Sequence, residues 1–145
     1  MVNDTLKVTG NVSIVLKDAA GNVKDSREIK NLVVTTGKEF IAAAMASTQT
    51  YMSHMAIGSD STTPAVGNTA LGAELGRSAL TATTVSGAVV TYTASFPAGT
   101  GTGAVTEAGI FNDGTAGDLL CRTVFAVVNK GADDSISITW QVTVQ

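Results

Sequence analysis

Apolar and polar residues alternate along most of this chain. In residues 6–17, LKVTGNVSIVLK, the apolar positions Leu6, Val8, Val12, Ile14 and Leu16 fall on one side. Lys7, Thr9, Asn11, Ser13 and Lys17 fall on the other. A period of two predicts a half-buried strand. The turn DAAGN (18–22) follows, with Gly21 available for positive φ. Residues 23–34 form a second strand with Lys24, Glu28 and Lys30 on its wet side, so 6–34 reads as an N-terminal hairpin. The rhythm then changes. Thr36 precedes Glu39 by three, the spacing of a capping box, and Phe40, Ile41, Ala44 and Met45 share one helical face. A short helix is expected over about 37–47.

Strand pattern returns in YMSHMAIG (Tyr51 to Ile57) and is interrupted by the long polar stretch from Gly58 to Arg77, with a helical turn expected near 70–75. Long ordered loops are frequent interaction surfaces. Residues 78–85 and 88–96 flank a turn at Ser86-Gly87, with Val90, Tyr92 and Phe96 on one face of the second. A loop, PAGTGTG, leads to the hairpin TEAGIFNDGTAGDLLCRTVF (106–125), and NKGADD makes the last turn. The cleanest alternation closes the chain: in 135–144 Ile136, Ile138, Trp140, Val142 and Val144 oppose Ser135, Ser137, Thr139, Gln141 and Thr143. The expected fold is all-β: a jelly-roll-like β-sandwich of about eight strands, with one short α-helix after the second strand. It forms a single domain over 1–145, its remaining strands in 51–144.

Composition sharpens this picture. A chain of 145 residues buries roughly 68–70% of its unfolded surface, so its core needs no disulfide or metal. Charged residues are 14% of the chain, against a usual ~25%, which leaves a surface of Thr, Ser and Ala or one hidden against partners. Six of the nine Lys and Arg lie in residues 1–40 (Lys7, Lys17, Lys24, Arg27, Lys30 and Lys38). No basic stripe accompanies the net charge of −3, so no nucleic-acid partner is expected. No apolar run is long enough for a membrane span, and no signal peptide is expected, so the sequons at Asn3 and Asn11 carry little weight. Cys121 is the sole cysteine, which fits a protein assembled inside the cell.

Candidate chemistry is sparse. His54 is the only histidine and no G-x-S-x-G elbow accompanies it. One His and one Cys cannot form a zinc site, GTGTG is not a phosphate loop, and Asp133-Asp134 reads as solvated turn rather than a calcium site. Cys121, placed on one strand face with Leu119 and Thr123, reads as an apolar filler. Trp140 with Tyr92 offers a sugar-stacking platform on one reading; the aliphatic residues Ile136, Ile138, Val142 and Val144 around Trp140 favour the other, in which Trp140 is core.

One pair stands out. Glu107 and Arg122 are each alone in an uncharged strand. With Gly114-Thr115 at the centre of a two-residue turn, Glu107 faces Arg122; with Asp113-Gly114 central, it faces Leu120. An acid neutralised by arginine is a poor general base, so the pair reads as structural or as part of a subunit interface, not as catalytic. No enzyme, cofactor or metal is expected.

Four segments in order, NLVVTTGKEFIAAAMA (31–46), MAIGSDSTTPAVGNTALGAELGR (55–77), the 106–125 hairpin and ITWQVTV (138–144), resemble structural proteins of tailed bacteriophages, most closely capsid decoration (cement) proteins. Tail, fibre or baseplate modules carry similar segments. The resemblance implies a jelly-roll or sandwich protein on the outer surface of the phage head, assembled in the host cytoplasm. It implies the major capsid protein and further copies of this chain, as a homotrimer, for partners. Capsid contacts would come from the N-terminal hairpin and the 58–77 loop, with Lys7, Lys17, Lys24, Arg27, Lys30, Asp60 and Arg77 as candidates. The rival expectation is a tail-fibre, tail-spike or baseplate module that binds a host receptor or glycan, supported by the β-rich, Thr-rich surface and the aromatic pair Tyr92 and Trp140.

Overall fold

A computed structural model describes residues 5–145, so the sequon at Asn3 lies outside the described residues. Among the described residues nine strands and one helix follow in the order β1 (Val8–Lys17), β2 (Val23–Lys30), β3 (Leu32–Val33), α1 (Thr35–Ala44), β4 (His54–Gly58), β5 (Glu74–Ser86), β6 (Val89–Phe96), β7 (Gly103–Phe111), β8 (Leu119–Lys130) and β9 (Ser135–Val144). The fold is all-β and sandwich-like. All strands join one antiparallel sheet in the order β2-β1-β9-β6-β5-β4-β7-β8-β3. The long strand β5 makes the corner: its first half pairs with β4 and its second half with β6. The sheet thereby folds over on itself, and its two halves face each other across one core.

The seam is nearly closed. The chain passes from β2, at one end of the sheet, through Asn31 into β3, at the other end, where Leu32 and Val33 pair with Arg122 and Cys121 of β8. Side chains complete the junction. Arg27 of β2 donates from Nη1 to the Ala126 carbonyl (2.8 Å) and from Nη2 to that of Val127 (3.2 Å), while Asp25 holds its other guanidinium edge. The Thr123 hydroxyl donates to the Lys30 carbonyl at 3.0 Å. Polar groups that a free sheet edge would expose are met here by side chains, which blunts edge-to-edge association.

The core follows the period-two pattern closely. Val12, Ile14 and Leu16 of β1, Ala94 and Phe96 of β6, and Ile136, Ile138, Trp140 and Val142 of β9 all point inward and are buried. β9 sits between β1 and β6 with one wet face, which is why its sequence alternates so regularly. Leu6 departs from the pattern: it precedes β1 and stands exposed.

Three local expectations change. The strand expected over 23–34 is broken at Asn31, whose carboxamide occupies the space over Gly10. β5 begins at Glu74, so the expected helical turn near 70–75 is absent; pairing with β4 holds Glu74, Gly76 and Arg77 extended. The helix starts at Thr35, before the expected position, and Val34, not Thr36, is its N-cap, with no side-chain cap hydrogen bond. Thr36 is already within the first turn, so the Thr36–Glu39 spacing makes no capping box. The Val34 amide instead donates to the Leu120 carbonyl (3.3 Å) and the Thr35 amide to that of Val66 (2.8 Å). The helix rests on β8 through Gly37, its buried residue, with Phe40 and Ile41 packed against the core; Ala44 and Met45 face outward.

Candidate functional site

The β7–β8 hairpin has neither of the two-residue turns the sequence allows. Its connection runs from Asn112 to Asp118, where the Asn112 carboxamide accepts from the Asp118 amide (2.7 Å). Arg122 therefore lies opposite Gly109, and Glu107 opposite Val124. The pair still forms, diagonally. Arg122 donates to Glu107 Oε2 from Nε (3.0 Å) and Nη2 (2.9 Å), and both side chains are buried, at 2% and 0% exposure.

A bulge adds a second correction. Between Ile110 and Phe111 the partner residue jumps from Cys121 to Leu119, so Leu120 is extra. Leu119 and Cys121 thus lie on opposite faces. Leu119 packs outward with Val34, Ala56, Phe111 and Leu71, while Cys121 enters the main core.

What buries an ion pair on the outer face of a sheet is the segment 59–73. Its residues give their backbone groups to the pair. The amides of Gly72 (3.0 Å), Ala73 (2.8 Å) and Asp60 (3.3 Å) donate to the Glu107 carboxylate. Arg122 Nη1 donates to the Thr62 carbonyl (3.1 Å) and to Asn68 Oδ1 (3.2 Å). Asp60 lies 3.5 Å from the guanidinium, and its carboxyl is held below the ordinary carboxylate value, first by the Thr62 amide. Gly58, opposite Glu107, makes this possible: a Cβ there would overlap the carboxylate and the Ala73 carbonyl. A segment without helix or strand is thereby tied down by charge-assisted hydrogen bonds, which are stronger than neutral ones.

A row across four strands, Arg77–Ala56–Gly109–Arg122, organises this face. The small residues in the middle leave room for the covering segments, and an arginine anchors each end. Arg77 lies 3.9 Å over the Phe111 ring and donates to the carbonyls of Asp113 and Ala116 at 2.8 Å each, while Glu74 holds its other edge. One arginine fastens segment 59–73 and the other fastens the hairpin tip.

The candidate contact residues therefore divide. Lys7, Lys17 and Lys30 are exposed. Lys24 pairs with Asp134 (2.8 Å), and Arg27, Asp60 and Arg77 are engaged within the chain as described. Trp140 and Tyr92 are buried, so they offer no stacking platform for sugars; burial pushes the Tyr92 phenol up to about 12. His54 Nδ1 shares a hydrogen bond with the Ser53 hydroxyl (2.8 Å). Among the described residues no group of three His, Cys, Asp or Glu could hold a metal, and no helix is long and apolar enough to cross a membrane.

Sequence reasoning missed a second polar cluster. Asp133 is exposed, but Asp134 is buried and accepts from Lys24 Nζ and from the Gly131 amide at 2.8 Å each. Lys130 is also buried and donates to the Pro97 carbonyl (2.9 Å); burial holds its ammonium below the usual lysine range. The signal was its phase: Lys130 shares strand parity with inward-facing Val128. The Lys24 hydrogen bond, followed by the Gly131 amide, lowers the Asp134 carboxyl below its ordinary 3.8. A carboxyl depressed in the folded state adds stability above its unfolded pKa and loses it as pH falls through the folded value. Denaturant midpoints of Asp134→Asn are accordingly expected to fall less steeply than those of the parent as pH drops below the ordinary carboxyl value of 3.8. Equal slopes would assign the acid limb to other carboxyls.

Cys121 is fully buried, and burial drives its thiol far above its usual value. Only the thiolate is nucleophilic. An aromatic disulfide reagent is therefore expected to leave the native thiol unmodified and to titrate it once denaturant unfolds the chain. Rapid reaction of the native protein would refute its placement in the core.

Comparison of the chain with protein-family models, with characterised proteins and with solved structures finds no match.

Proposed function

We propose that this chain is a virion structural protein of a tailed bacteriophage: a capsid decoration (cement) protein. It binds the outside of the head as a homotrimer and stabilises the shell by clamping neighbouring major capsid subunits. Besides the resemblance of its four segments, one observation carries this reading. The most chemically distinctive pair in the chain, Glu107 and Arg122, is saturated by mutual and backbone hydrogen bonds and immobilises the surface segment 59–73. Acid–base catalysis requires groups free to exchange protons in a cleft. Adhesion requires a surface whose shape is set before contact, so that little entropy is lost on binding. Tying such protomers together turns several weak contacts into a strong one.

Copy number tests the proposal. In purified virions the chain should approach the major capsid protein in abundance on a quantitative gel. A few dozen copies or fewer per particle would place it on the tail and overturn the assignment. The glycan-binding rival loses the aromatic pair from its support, because Tyr92 and Trp140 are buried, and keeps only the Thr-rich surface.

A further inference from the structure

Helix α1 packs on β8 through one face, and no described residue covers its outer face. Three grooves adjoin it. The first is floored by Leu6, Val8, Ile41 and Met45; the second shares Met45 and reaches Tyr51; the third shares Phe40 and Tyr51 and ends at Val85. The four most exposed large apolar side chains of the described residues all lie on this belt: Met45 (84%), Tyr51 (79%), Leu6 (70%) and Val85 (70%). Leu6 is not a loose end. The neighbouring Lys7 exchanges two backbone hydrogen bonds with Gln145, each 2.7 Å, which fixes this segment beside the helix. A continuous exposed apolar belt on a rigid frame marks an interaction surface.

Its charge selects the partner. Among the described residues the only charged ones that line the three grooves are Lys7 and Lys38, both beside the first; Glu39 lines none of them. Among the described residues a second copy of this chain supplies no matching element: the one described acid adjacent in sequence to an exposed large apolar residue is Glu74, beside Leu75, and Arg77 already holds its carboxylate at 2.7 Å. We propose that the α1 belt is a docking site for an apolar segment of another protein that carries acidic side chains, its apolar face over Ile41, Met45 and Tyr51 and its acids against Lys7 and Lys38. The inference goes beyond assignment to a virion and holds whichever protein supplies the segment.

The full chain, immobilised, selects from a displayed library of random peptides, and the enriched peptides are measured by fluorescence anisotropy. Enriched sequences should combine Leu, Ile, Phe or Met with Asp or Glu. Their affinity should fall more than tenfold on Met45→Asp and several-fold on Lys38→Glu, and it should weaken with salt. Both changes lie at exposed positions, and circular dichroism and thermal melting verify the fold of each variant. Enrichment of basic or purely polar peptides, failure to enrich any, or affinities indifferent to both changes would overturn the proposal. So would light scattering that shows the chain alone to be an oligomer which Met45→Asp dissociates, because a second copy would then cover the belt. Virion copy number is read independently, so either proposal can fail without the other.

Discussion

Arg122→Met is expected to lower the free energy of unfolding by about 3–5 kcal/mol, the usual penalty for leaving a buried charge without its partner. The Glu107 carboxylate would remain fully buried with only the amides of segment 59–73 as donors. Because the guanidinium also holds Thr62 and Asn68, the loss should be uneven. Amide exchange in 59–73 should accelerate well beyond that in β9, whose strand pairs with β1 and β6 and touches neither residue. The double change Glu107→Gln with Arg122→Met should be less damaging than the sum of the single changes, since it removes both charges together. Denaturant unfolding measures the energies and hydrogen exchange locates them. A stability unchanged by Arg122→Met would make the pair ornamental. A general loss with no excess exchange in 59–73 would place its role in the sheet, not in the covering segment.

Gly37→Ala is expected to destabilise by about 1–3 kcal/mol, the range for overpacking a filled site. The sign is what makes this informative. In a helix interior the same change ordinarily stabilises by about 1 kcal/mol, because glycine has more backbone entropy to lose. Here a Cβ would run into the Leu120 carbonyl, a backbone group fixed by the β8 bulge and by its hydrogen bond from Val34. The helix would have to lift from the sheet, and Phe40 and Ile41 would lose packing with it. Ala42→Gly, on the exposed side, should instead show the ordinary propensity cost of about 1 kcal/mol. Equilibrium unfolding of the two variants separates the cases, and a more stable Gly37→Ala would refute the close contact between helix and strand.

The two expectations share a cause. β8 is buried on both faces through its middle, from Leu119 to Thr123. The core, to which α1 adds Phe40 and Ile41, covers one face, and segment 59–73 with Val34 covers the other. Leu120 and Cys121, consecutive in the chain, both add their side chains to the core, while the Leu120 carbonyl meets the helix start and the next residue, Arg122, enters the ion pair on the outer face. Alternation cannot reveal this, because an extra residue at Leu120 reverses the phase midway. The 59–73 segment was equally opaque. Its order comes from backbone amides that converge on one carboxylate, and backbone amides leave no mark in residue type. Gly58, Gly72 and Gly109 were visible as glycines, but only the packed structure shows what approaches them.

By itself the sequence determined the all-β class, the single helix after the N-terminal hairpin, and the inward residues of β1, β6 and β9. Those strands have one wet face and one dry face, and burial of apolar surface writes that contrast directly into the order of residues. It also singled out Glu107 and Arg122, because a charge inside an apolar strand requires a partner nearby. Tertiary structure alone decided that the sheet closes through Arg27, that the pair meets diagonally and holds a surface segment, and that Lys130 and Asp134 are buried. Each of these depends on which distant residues become neighbours when the sheet folds at β5, and that information is distributed over the whole chain.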